Sequence, residues 1–179
     1  MKLLRTIRLD PSDTFVFEKA ANPGEWAVSG AFAFWNSDPA TLEGKTRTAF
    51  RSGFLGVSTL GWSTLVQIVA ATESDRLMLV NTLAEQLTSK FGAPTMKDAV
   101  AAAEDEIAFT QSLCNQPSDT LIAVHRTFED GAVRESFRTL RPRTGAMPAR
   151  AFSFFEVEGE EEQPAEDINL VAMADRERK

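Results

Sequence analysis

The sequence predicts an α+β domain, a mostly antiparallel sheet of five to seven strands covered on one face by two consecutive helices, with a C-terminal hairpin. Three stretches carry this expectation. Residues 62–70 are apolar and rich in β-branched types (Thr64, Val66, Ile68, Val69), which reads as a strand buried on both faces near the middle of a sheet. A helix follows at once, with Thr72 or Ser74 able to cap it and Asp75 in its first turn. Residues 120–140 then read as a hairpin turning at Asp130-Gly131, the pair a type I′ turn prefers.

Each element has a local reason. Leu3, Leu4, Ile7 and Leu9 suit a short first strand, and Asp10-Pro11-Ser12-Asp13 suits a turn. Thr14 to Lys19 and Trp26 to Trp35 read as two further strands, joined by Ala-Ala-Asn-Pro-Gly-Glu. On the second of these Trp26, Val28, Phe32 and Phe34 alternate with Ala27, Ser29, Ala31 and Ala33, so one face is aromatic and the other small enough for a neighbour to come close. Residues 36–60 read as a surface loop carrying Lys45, Arg47 and Arg51, with the glycines after it serving turns and an edge strand.

In the helix after residue 72, Leu77, Leu79, Val80, Leu83, Ala84, Leu87 and Phe91 share a side, and Gly92 and Pro94 end it. Thr95 to Asp98 opens a second helix running to about Asn115. Its main stripe is Met96, Val100, Ala103, Ile107, Thr110 and Cys114. Phe109 and Leu113 lie off it, and so predict a contact with the C-terminal strand or with a second subunit.

In the hairpin, residue i faces 261 minus i when the turn is Asp130-Gly131. One face then pairs Phe128 with Val133, Arg126 with Glu135, Val124 with Phe137 and Ile122 with Thr139, which sets a charge pair inside an apolar row. The other pairs Thr127 with Arg134, His125 with Ser136 and Ala123 with Arg138, a polar, cationic face. Ala151 to Val157 reads as a last strand, making residues 1–157 one domain and 158–179 an acidic tail.

The totals exclude several classes of function. One cysteine, Cys114, and one histidine, His125, rule out a disulfide framework and His- or thiolate-based metal clusters, and they suit a reducing cytoplasm. No stretch resembles a signal peptide or a membrane span, and neither a cofactor nor a membrane partner is expected. A net charge of -7 argues against nucleic-acid binding. Seven carboxylates between residues 151 and 168 match that charge, so the folded part is close to neutral.

Candidate sites are few. Glu43-Gly44-Lys45-Thr46 ends like a phosphate-binding loop, but Pro39 stands where the motif needs its first glycine and has no N–H to offer. Glu104, Asp105 and Glu106 are adjacent on a helix, point about 100° apart and cannot converge on one ion. His125, Arg134 and Arg138, with Lys45 and Arg47, are the candidates for holding a carboxylate or phosphate. No nucleophile with a base and an orienting group is visible, so no catalytic residue is assigned.

The runs Leu-Arg-Thr-Ile-Arg-Leu-Asp at residues 4–10, Phe50-Arg-Ser-Gly-Phe-Leu-Gly56, Phe91-Gly-Ala-Pro94 and His125-Arg-Thr-Phe-Glu-Asp-Gly131 resemble those of a bacterial family of unknown function. The resemblance implies no activity, ligand or site residue. Two classes of function follow from the residues. The first is a non-enzymatic accessory or binding protein acting through protein contacts, possible as a homodimer, that uses the cationic hairpin face or the acidic tail. The second is a binder of, or enzyme for, a small anionic ligand at that hairpin face.

Overall fold

The computed structural model describes residues 1–142 and 155–158. Among these residues four α-helices and eight strands, the strands all paired antiparallel, make an α+β fold. The chain opens with β1 (Lys2–Ile7) and a helical turn α1 (Asp13–Val16), followed by β2 (Trp26–Val28) and α2 (Gly44–Ser52). Then come β3 (Phe54–Gly56), β4 (Trp62–Ser63), β5 (Leu65–Ala70), α3 (Glu73–Lys90) and α4 (Met96–Ser112). The hairpin β6 (Leu121–Glu129) and β7 (Ala132–Pro142) is followed by β8 (Phe155–Glu158), and the sheet runs β4-β3-β2-β1-β5-β6-β7-β8.

The strand expected at residues 62–70 is two. Thr64 breaks it because the buried Asp13 carboxylate accepts hydrogen bonds from Thr64 N–H (3.2 Å), Thr64 Oγ1 (2.6 Å) and Ser63 Oγ (3.3 Å). That bond set also holds Asp13 to Val16 as a helical turn where the sequence predicts a strand. β5 sits between β1 and β6, with Val66 and Ile68 fully buried and Leu65, Gln67 and Val69 half-buried.

The expected strand over residues 26–35 also stops early. Gly30 takes a left-handed conformation (φ 78°) and starts a 3₁₀ turn at Ala31–Phe34. The 3₁₀ turn that follows it ends the extended run, so Phe32 and Phe34 no longer share a face and turn to separate clusters. Phe34 joins Phe17, Ala49 and Phe50, stacked on Trp62 at 5.1 Å, while Phe32 meets Phe91 edge-on at 5.2 Å. Residues 44–52, expected as loop, form α2, which hides Ala49 and Phe50 and so anchors its exposed cations.

The helices start and end where the sequence signals place them, but Leu77 of α3 and Met96 of α4, expected on the packed faces, sit in the first turns and are exposed, and Ala99 takes the buried position at the start of α4. Thr72 and Asp75 form a reciprocal capping box on α3, Gly92 closes it in the left-handed region (φ 74°), and the Thr95 hydroxyl caps α4. Leu79, Leu83 and Leu87 of α3 and Ala99, Ala103 and Ile107 of α4 pack with Leu3, Val28 and Leu55 of the sheet. A second cluster joins Leu4, Ala27, Phe54 and Ile68 to Ile122, Val124 and Cys114.

The hairpin has the expected register throughout, from Ile122 opposite Thr139 to Phe128 opposite Val133. Asp130 (φ 53°) and Gly131 (φ 76°) both have the positive φ of a type I′ turn. Phe109 meets Phe137 of β7 with centroids 5.9 Å apart, and Leu113 packs beside it, which accounts for the second stripe of α4. The sheet curls strongly enough that Phe54 of β3 and Phe137 of β7 approach to 6.1 Å, although β2, β1, β5 and β6 separate their strands. Of the last strand expected over residues 151–157, β8 covers Phe155 to Val157, and the expected acidic tail lies outside the described residues except for the backbone of Glu158.

Candidate anion-binding site

The curl brings α2 and the end of β2 against β6, and Arg126 ties the three together. It is fully buried, and all five of its N–H groups are used. Nε donates to Glu135 Oε1 at 2.6 Å, and Nη1 donates to the carbonyls of Phe50 (3.0 Å) and Gly53 (2.7 Å). Nη2 donates to the Ser29 carbonyl and to Ser29 Oγ (3.0 Å), and the Ser29 hydroxyl in turn donates to Glu135 Oε1 at 2.6 Å. Next door the Gly30 N–H donates to Glu106 Oε1 at 3.0 Å.

Two carboxylates therefore stand near one guanidinium. Burial pulls the Arg126 pKa down, and Glu135 opposes that pull. Burial pushes the Glu106 carboxyl above its ordinary value against the Gly30 N–H, and the charge of Glu135 adds to the push. With no donor left over, Arg126 holds the fold together and has nothing to offer a ligand.

Above it lies a cavity of about 290 Å³ lined by Pro39, Ala40, Arg47, Phe50, Arg51, Arg126, Thr127 and Phe128. Arg47 and Arg51 are one helical turn apart on α2 and so share its cavity side. Both are exposed, and neither has an ion-pair partner among the described residues. Phe50 between them is fixed by its edge contact to Phe34 at 5.3 Å. Lys45, two residues before Arg47 on the same helix, lies about 200° round it and so off the cavity.

The other predicted residues lie across β6, because His125 and Arg126 are consecutive on a strand and face opposite ways. His125 and Arg138 line a shallow groove of about 320 Å³ with Ala123 and Val124. Arg134 sits at the hairpin tip, 3.7 Å from Glu129 and 3.6 Å from Asp130. The five sequence candidates are thus distributed over a groove, a cavity rim, a tip and a helix flank. Arg51 was visible in the sequence only as a loop cation, and its pairing with Arg47 depends on α2 being a helix.

Over residues 1–157 the chain matches a family of unknown function, DUF6505. It belongs to the DUF6505 family. No curated protein and no solved structure matches it.

The rest of this DUF6505 chain narrows the chemistry. Among the described residues no group of three His, Cys, Asp or Glu side chains could hold a metal ion. Cys114 is buried, and burial pushes its thiol up to about 11, which suits packing and not nucleophilic attack. No helix among the described residues is long and apolar enough to cross a membrane.

Proposed function

We propose that this protein is a non-enzymatic binding protein, and that the cavity between α2 and β6 takes a small ligand bearing a carboxylate or phosphate. The observation that carries this is the Arg47 and Arg51 pair, which has no ion-pair partner among the described residues and stands on the rim of a concave site whose buried arginine is already fully bonded. Two guanidinium forks on one helix face can each pair with oxygens of a single anionic group. A volume near 290 Å³ is at the small end for ligand pockets, and Phe50 and Phe128 supply an apolar wall.

The experiment is a thermal-unfolding screen against inorganic phosphate and a panel of small phosphorylated and polycarboxylic metabolites. At least one should raise the melting temperature of the native protein, and Arg47→Ala with Arg51→Ala should remove the rise while leaving the unliganded midpoint in place. A rise that survives the double change, or none with any anion, rejects the reading.

A second reading, an accessory protein acting through protein contacts, is favoured by Phe15 and Trp35, each 70% exposed. Phe15→Ser with Trp35→Ser should then release a companion protein that co-purifies with the native chain. A bacterial, cytoplasmic setting fits both readings, supported by the sequence resemblance and the lone free cysteine.

A further inference from the structure

The turn that follows β1 builds a second concavity, on residues that the α2 cavity does not share. It holds about 230 Å³ between Ile7 at the end of β1, Leu65 at the start of β5 and the turn at residues 8–13. Ile7 and Leu65 are cross-strand partners, so the pairing of β1 with β5 fixes that side of it. Leu9, about half exposed, adds a further apolar group. Charge of both signs lines the rest, Arg8 supplying one and Asp10 and Asp13 the other.

Neither sign cancels the other. Among the described residues no carboxylate stands within ion-pair distance of Arg8, and no cation within that distance of Asp10 or Asp13. The half-buried Arg8 is held through Nη2, which donates to the Ala21 carbonyl at 2.6 Å. Its Nε is buried without an acceptor, and Nη1 makes no hydrogen bond among the described residues. A guanidinium bonded through one nitrogen of three is short of acceptors. Asp13 is nearly out of solvent, and its bonds come from neutral donors, the Thr64 N–H and the hydroxyls of Thr64 and Ser63. Asp10 is exposed and accepts from the Ser12 N–H at 2.8 Å. Hydrogen bonds from the Ser12 side chain and backbone hold its carboxyl below the ordinary carboxylate value, so it is charged at neutral pH.

This arrangement selects the charge of a ligand. A simple anion would satisfy Arg8 but face two carboxylates, and a simple cation would meet the reverse conflict. A molecule carrying both charges close together satisfies both. The volume is below the usual range of ligand pockets, which excludes a nucleotide and suits a free amino acid. Ile7, Leu9 and Leu65 then offer its side chain apolar surface.

We propose that this cavity binds a free α-amino acid with an apolar side chain, its carboxylate on Arg8 Nη1 and its ammonium on Asp10, with the charge of Asp13 behind.

Calorimetric titration of the native chain at neutral pH with alanine, valine, leucine and phenylalanine tests this. At least one should bind. Its N-acetyl derivative lacks the positive charge and its carboxamide the negative one, and each should bind about tenfold more weakly or worse. Asp10→Asn keeps an oxygen for the Ser12 N–H, so it should lower affinity by about the same factor and leave the unfolding midpoint in place. Arg8→Gln should weaken binding likewise, and if that variant does not fold, Asp10→Asn decides alone. Arg47→Ala with Arg51→Ala should leave the amino acid bound, because the α2 cavity is a separate site. Binding of none of the four, full affinity for either singly charged derivative, native affinity in Asp10→Asn, or loss of binding in the Arg47, Arg51 variant would each overturn the proposal.

Discussion

Arg126 of β6 and Glu135 of β7 stand opposite each other in the hairpin, with Nε and Oε1 2.6 Å apart and the guanidinium entirely out of solvent. Around them lie Ile122, Val124 and Phe137, so the pair sits in the apolar row where the alternation of the strand puts it. An ion pair in such a place adds little net stability over an apolar pair, because both charges have lost water. Removing one partner is another matter. The carbonyls of Ser29, Phe50 and Gly53 depend on the same guanidinium, and they belong to segments distant in sequence.

Arg126→Ala should therefore cost about 3–5 kcal/mol, the range for breaking a buried pair. Arg126→Lys should recover only part of it, since an ammonium has three donors where the guanidinium has five. Urea unfolding of both variants reads this directly. A loss below about 1 kcal/mol for Arg126→Ala would mean that water or relaxation replaces the bonds.

How much of this was legible beforehand follows from how local each signal is. The hairpin register comes from two turn residues and a pairing rule, so the opposition of Arg126 and Glu135 could be read from the sequence. The caps of α3 and α4 are equally local, each within four residues. What Arg126 does with its other donors was not readable, because its carbonyl partners lie 73, 76 and 97 residues away and a carbonyl carries no side-chain identity. A charged residue in an apolar row was the available clue, and it called for buried acceptors without naming them. The site failed to appear whole for a similar reason. Arg47 and Arg51 become neighbours only if residues 44–52 are helical, and the glycines at 53, 56 and 61 argued against a helix there.

The bend that frees Ser29 for Arg126 depends on Gly30. Its φ of 78° lies in the left-handed region, and an added Cβ would fall 2.4 Å from Leu55 Cβ. Gly24 has a similar φ of 82°, but a Cβ there would meet nothing within 4 Å. Gly24→Ala should cost about 1–2 kcal/mol, the backbone penalty alone. Gly30→Ala should lose that and a further ~1–3 kcal/mol from overpacking against Leu55. Denaturant midpoints of the two variants separate the contributions. Equal losses would show that β3 moves aside freely.

Glu106 makes the fold sensitive to pH in the sense opposite to that of a salt-bridged carboxylate. Burial, as the largest cause, raises its folded pKa above the unfolded value. Between those two values the folded chain binds the more protons, so stability falls as pH rises through the window. The contribution is complete below the unfolded pKa and is lost once pH passes the raised one. Because Glu135 and Arg126 both act on the group, the titration belongs to the cluster and not to one site. Glu106→Gln keeps an oxygen for the Gly30 N–H and removes the ionisation. Unfolding free energies measured from about pH 4 to about pH 7.5 should show the native protein losing stability relative to Glu106→Gln as pH rises. Parallel curves would place the Glu106 carboxylate in contact with water. A gap of the other sign would mean that Arg126 outweighs burial and holds the carboxylate ionised.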